Sequence, residues 1–169
     1  MRRSRWLFWS FWVIIILILS CFTYGVFLYN DLASAKTAGY DETKKQILEN
    51  TSITNIDKIE QFNGAASYHV IFGENKDDEK KLIFYPLKGN EKDLTTIDQH
   101  EIMPKKEVLG QWNEQCKDCN LVNIVPALVD EKVLWEVTYE NNSNQYIIDY
   151  LDIHDGTRYE QYRFNRTFK

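Results

Sequence analysis

"YIIDYLDIHDGTRYEQYRF", residues 146–164, reads as a strand, a tight turn and a second strand. Asp155-Gly156 supplies the turn: Gly tolerates positive φ and Asp bonds its own backbone. The flanks are aromatic and β-branched, which suits a pleated, half-buried surface. The same grammar runs through the residues before it. "KVLWEVTYE" (132–140) alternates Val133, Trp135, Val137 and Tyr139 against Leu134, Glu136, Thr138 and Glu140, and "NNSN" turns. "LVNIVPALV" (121–129) is a further strand, with Pro126 marking a bulge or a sheet edge. Ahead of it, "MPKKEVLGQWNEQC" places Pro104 at a helix start, where its missing N–H costs nothing. Val108, Leu109, Trp112 and Cys116 then form an apolar stripe at helical spacing.

Upstream, the pattern occurs once before. Residues 31–50 are helix-friendly, with Leu32, Ala35, Tyr40, Thr43 and Ile47 roughly on one face and Gly39 marking a break. Ile53, Ile56, Ile59 and Phe62 predict a strand, and Asn63-Gly64 a hairpin turn. Tyr68, Val70 and Phe72 alternate in the next strand. "ENKDDEKK" (74–81) is a solvated loop, "LIFYPL" (82–87) a third strand that Pro86 ends or places at an edge, "KGNEK" (88–92) a turn, and "LTTID" (94–98) a short fourth strand. The expected fold class is α+β: an N-terminal transmembrane helix, then two units in which one helix lies on an antiparallel sheet. The expected divisions are a basic end at 1–5, an anchor at 6–29, a juxtamembrane helix with the first α+β unit at 30–98, and the second unit at 99–169.

Residues 6–29 carry no charge, and Arg2, Arg3 and Arg5 precede them. A helix of that length exceeds the roughly 30 Å hydrocarbon core. Trp6, Trp9 and Trp12 at one end and Tyr24 and Tyr29 at the other suit interfacial belts, and the arginines stay cytoplasmic by the positive-inside rule. The C-terminal part is then extracellular. A cleavable signal would have a shorter apolar stretch, although Ala33-Ser34-Ala35 offers a site. Ile18-Leu19-Ser20-Cys21 loosely resembles a lipobox, but apolar residues continue past Cys21.

All 25 acidic residues follow residue 30, with 17 of the 20 Lys and Arg, so the exported part carries 17 − 25 = −8. That charge argues against a nucleic-acid partner or an anionic membrane surface. Cys116 and Cys119, in "CKDC", are the only cysteines outside the apolar run. They read as a local disulfide or two free thiols. A thioredoxin-type pair belongs at a helix start, and no second pair completes a zinc site. His69, His100 and His154 fit no catalytic or metal-binding spacing and read as surface or turn residues. Asp149, Asp152 and Asp155 read as strand-end and turn carboxylates, because an EF-hand needs Gly and Glu at fixed later positions. No catalytic residue, cofactor site or metal site is expected. The unusual feature is aromatic density. Trp135, Val137 and Tyr139 are expected to pack under the helix carrying Trp112. The tyrosines Tyr139, Tyr146, Tyr150, Tyr159 and Tyr162 exceed what a small core needs, and are candidate contacts for a protein partner.

Residues 132–162, with Trp135-Glu136-Val137, then Tyr146, then Asp155-Gly156, resemble the TseB-like (YpmB-type) cell-wall elongation regulators of Gram-positive bacteria. These are small membrane-anchored proteins related to PepSY domains, with a cystatin-like repeat. The resemblance extends to the basic start, single anchor and short helix, and matches the first unit by layout. "KKEVLGQWNEQCKDC" departs from the Ala-rich helix usual there. The resemblance implies a non-catalytic role, exerted through contact with a membrane-bound partner, a class B penicillin-binding protein. The PepSY and cystatin likeness also permits a protease-inhibitory or chaperone-like module.

Overall fold

The computed structural model describes residues 2–89 and 93–166, without the side chains of residues 2–8, 10, 11 and 32–36. The expected turn at 88–92 therefore reaches outside the described residues, as do the side chains of Arg2, Arg3, Arg5 and Trp6. The chain divides into two compact units, Met1–Asp41 and Glu42–Lys169. The first is built on helix α1 (Arg2–Lys36). Its segment Trp12–Asp31 is 20 residues long and, by length and composition, apolar enough to cross a membrane. Trp12, Phe22, Phe27 and Tyr29 are exposed along it. Gly39, at φ 82°, breaks the helix before α2 (Tyr40–Asn50) begins.

The second unit holds two antiparallel sheets of four strands each. Sheet A runs β1 (Ile53–Asn63), β2 (Ser67–Asn75), β3 (Lys80–Pro86) and β4 (Thr95–Asp98), in sequence order. A 3₁₀ turn at Gln99–Glu101 leads to α3 (Lys105–Gln115). Sheet B runs β5 (Asn120–Val129), β6 (Lys132–Glu140), β7 (Gln145–Asp152) and β8 (Arg158–Asn165). The α+β class is as expected. Pro86 closes an inner strand, β3, and Pro126 lies in β5, an edge strand, the sheet position where proline is tolerated.

Side-chain alternation sorts these elements into layers. Ile47 of α2 packs with Ile53, Ile71 and Ile83 on one face of sheet A. The opposite face presents Phe62, Val70, Leu82 and Phe84, which pack against Val125, Ala127, Leu134 and Tyr150 of sheet B. The far face of sheet B carries Trp135, Val137, Tyr139 and Ile147 under Val108 and Trp112 of α3. This is the arrangement expected for Trp135 and Tyr139. The Trp112 and Tyr139 rings meet edge to face at 5.7 Å, and Trp135 Nε1 donates to the Met103 carbonyl at 3.1 Å. His69 departs from expectation. It is buried on the α2 side of β2, where its Nδ1 and Thr43 Oγ1 share a hydrogen bond of 2.7 Å. Burial pulls its pKa below the usual histidine value.

The β7–β8 connection does more than turn the chain. Ile153 is fully buried in the α3 layer, and its carbonyl accepts from Met103 N at 2.8 Å. Asp152 and Asp155 accept from the backbone N–H groups of His154 and Thr157. Gly156 sits at φ +72°, where a Cβ would lie 2.8 Å from Gln111 Oε1 and 3.0 Å from Met103 Sδ. Gly156→Ala is expected to cost about 1–2 kcal/mol for the left-handed backbone, read as a lowered midpoint in chemical denaturation. An unchanged midpoint would mean that the loop adopts another conformation.

Candidate functional site

Strand β7 separates two polar arrangements, one on each of its faces. On the α3 side, Asp149 lies opposite Val137 and is buried, although the sequence suggests a strand-end carboxylate. Its carboxylate is saturated. Tyr139 OH donates to it at 2.9 Å, Gln161 Nε2 at 2.5 Å, and Arg158 Nε pairs with it at 3.2 Å. Burial first, and the Asp149 charge second, push the Tyr139 phenol up to about 12. Removing Asp149 leaves the buried Tyr139 phenol and the Gln161 amide without their acceptor. Asp149→Ala is expected to destabilise the fold by about 2 kcal/mol, the scale of a buried donor left without its acceptor, measured by urea unfolding.

The opposite face of β7 continues past the part that sheet A covers. One cross-strand row is Glu136, Tyr150 and Glu160; the next is Thr138, Ile148 and Tyr162; the third is Glu140, Tyr146 and Phe164. Tyr162 and Phe164 are 43% and 52% exposed, so this end of the face is open to solvent. Ile148 and Tyr146 are half-buried beside them. Tyr150 OH donates to Glu136 Oε2 at 2.8 Å, and the Tyr150 and Tyr162 rings meet edge to face at 6.1 Å. Burial raises the Glu136 pKa, against the lowering effect of its hydrogen bonds from Tyr150 and Thr138. Burial first, then the bond to Glu136, raises Tyr150. Tyr159 falls at a register shift where β8 leaves β7, and Lys132 Nζ lies 4.2 Å over its ring.

Of the five tyrosines expected as partner contacts, Tyr139 and Tyr150 are therefore core residues. Each lies under another layer with its hydroxyl committed to a carboxylate. Tyr159 and Tyr162 are exposed and Tyr146 is half-buried. Phe164, which the sequence reading left out, joins them. Its signal was its parity with Tyr162 in an edge strand.

Cys116 ends α3 and Cys119 precedes β5. Their Cα atoms are 5.4 Å apart, and they are joined as a disulfide in this structure. The pair sits at a helix C-terminus, where the helix dipole does not favour a thiolate. Asp98, His100 and Glu101 bring ligand atoms within 4.8 Å of one another, but Asp98 already pairs with Lys81 and the other two are exposed. A cleft of about 290 Å³ is lined by Lys58, Glu60, Phe72, Met103, Lys105 and Trp135 among others. Its charged groups are engaged internally: Lys58 pairs with Glu60, and Lys105 Nζ donates to the Ile124 carbonyl at 2.7 Å.

The Glu136 shift has a stability consequence. Its folded-state pKa lies above the unfolded value, so the fold favours the protonated form. The cost of ionisation is absent below the unfolded pKa and grows as pH rises through the folded one. Glu136→Gln keeps an acceptor for Tyr150 and removes the charge. Its melting temperature relative to wild type should be higher at pH 7 than at pH 4. The reverse trend would mean that Glu136 is held by a cation.

A family model described as "Cell wall elongation regulator TseB-like domain" matches residues 42–86. That segment is α2 with β1 to β3, the unit that resembled the family by layout alone. A Bacillus subtilis (strain 168) protein named "Probable cell wall elongation regulator TseB" is 25% identical over 133 residues, covering 76% of this chain and 80% of that protein. The solved structure "YpmB protein from Bacillus subtilis" shares the fold, with a TM-score of 0.62 at 19% identity, covering 73% of this chain and 96% of that one. The family match, the relative and the shared fold all make this chain similar to proteins of the TseB/YpmB type.

Proposed function

We propose that this protein is a non-catalytic regulator of cell-wall elongation in a Gram-positive bacterium. Residues 6–29 anchor it as a single span with a cytoplasmic N-terminus, and residues 30–169 lie outside the cell. It acts by contact with another membrane-held protein, and a class B penicillin-binding protein is the partner we infer. The carrying observation is strand β8 at the edge of sheet B, along which Tyr159, Tyr162 and Phe164 stand exposed, anchored from beneath by the Asp149 network. Exposed aromatics on a rigid support form good contact surfaces, because they bury large area at little entropic cost. The name of the B. subtilis relative supports the regulatory role, and the resemblance to that family, with its PepSY-like second unit, supports the partner class.

The test is crosslinking of the full-length protein in intact membranes, followed by identification of what co-purifies. A penicillin-binding protein should be captured with wild type. Capture should fall several-fold when Tyr159, Tyr162 and Phe164 are changed together to Ala, in a variant that keeps its near-ultraviolet dichroism. Recovery of a protease that the purified protein inhibits would favour the inhibitory module instead. Loss of the cellular role on Cys119→Ser alone would favour thiol chemistry.

A further inference from the structure

The exposed face of sheet B is not simply apolar. Its rows set two carboxylates, Glu136 and Glu160, on either side of Tyr150. Glu136 accepts a hydrogen bond from Tyr150, and Glu160 lies beside Tyr162, whose pKa it raises. Neither belongs to an ion pair among the described residues, whereas Asp149 across the same strand has Arg158 and Glu140 has Arg166. The nearby Lys132 is placed over the Tyr159 ring. The charges that act most on Tyr150 and Tyr162 come from Glu136, Glu160 and Asp130, all negative. The aromatic face thus carries two carboxylates, Glu136 half-buried and Glu160 exposed, that are in no ion pair among the described residues.

We propose that this face receives an arginine or lysine side chain carried on an apolar segment of the protein partner. Glu136 and Glu160 are its anions, Tyr162 its wall with the buried Tyr150 ring packed against it, and Ile148, Tyr146 and Phe164 the apolar border. The proposal rests on the reading of the protein as an interaction module and adds the chemistry of what it contacts. A partner cation adds charge-assisted hydrogen bonds to two carboxylates whose lone pairs are only partly used. It also gains attraction to the tyrosine ring faces, as Lys132 does over Tyr159. An acidic segment would instead meet like charge in a partly desolvated site, which supplies selectivity as well as affinity. The excess of acidic over basic residues beyond residue 30 steers a basic segment in the same sense.

The test uses the full chain in an uncharged detergent, labelled with ¹³C at the tyrosine rings. It is titrated with an acetylated, amidated five-residue peptide alternating valine and arginine, and with the same peptide bearing glutamate for arginine. The arginine peptide should shift the Tyr150 and Tyr162 resonances and leave Tyr139, on the opposite face, in place. The glutamate peptide should shift neither. Glu136→Gln with Glu160→Gln should weaken the arginine peptide about tenfold, with the Tyr139 resonance reporting that the fold is intact. Glu160→Gln alone, at an exposed position, serves if the double variant misfolds, and should weaken binding in the same direction. Equal response to both peptides, or undiminished affinity in the variants, overturns the proposal. Membrane crosslinking separates the two levels. Full capture of the partner by the double Gln variant, with capture lost in the aromatic variant, would overturn the basic side chain and leave the interaction module standing. No partner with wild type would overturn the module itself.

Discussion

The apolar layer between the two sheets governs the rest of the second unit. Phe62, Val70, Leu82 and Phe84 cannot face water together, and neither can Val125, Ala127 and Leu134. Each sheet already spends one face on its own helix, α2 through Ile47 and α3 through Val108 and Trp112. Each half would leave its second apolar face bare if it stood alone, so the two halves form one compact unit. The close approach of β1 and β5 sets where that shared layer lies. It covers the β5–β6 side of sheet B and stops short of β8. The exposed aromatic face is the remainder of the same surface, which is why buried Tyr150 and exposed Tyr162 touch.

Most of this fold is legible in the chain because its strands alternate and its turns are chemically marked. Asn63-Gly64, Asp155-Gly156, the Gly39 break and the Pro104 helix start all sit where the backbone requires them. The tyrosines were less legible for a definite reason. Alternation tells which residues share a face but not how much of that face is covered. Tyr139 and Tyr150 have opposite parity, and both are buried because sheet B is covered on both sides at that point. Tyr146 and Tyr162 share the parity of Tyr150 and are nearer the open end. The same limit applies to His69 and Asp149, polar residues in strands whose burial depends on partners far away in sequence: Thr43 for one, Tyr139 and Arg158 for the other.

The family signal was distributed differently from the reading of the residues. Trp135, Val137, Tyr146 and Gly156 carried the resemblance, yet the family model matches α2 and the first three strands. The physical roles explain why the second unit still stands out to the eye. Trp135 reaches the Met103 carbonyl and Gly156 takes the left-handed turn against Gln111 and Met103, so each residue has a defined local task. The first unit is held by aliphatic packing of Ile47, Ile53, Ile71 and Ile83. Such packing tolerates exchange among similar residues and leaves no short motif to recognise.

Strand β8 is an open sheet edge, and its composition bears on how a partner would approach. Long flat edges invite strand addition, which proteins discourage with charge and irregularity. Here Arg158, Glu160 and Arg163 interrupt the aromatic residues, and a register shift at Tyr159 displaces the start of the strand. These features disfavour pairing along the edge and leave the face available. The face is also the better-supported surface. Gln161 and Arg158 fasten β8 to Asp149 from behind, so Tyr162 and Phe164 are presented on a strand whose position is already set. A contact made there would lose little entropy in ordering the surface. Its specificity would then come from side chains on one face, with the backbone edge taking no part.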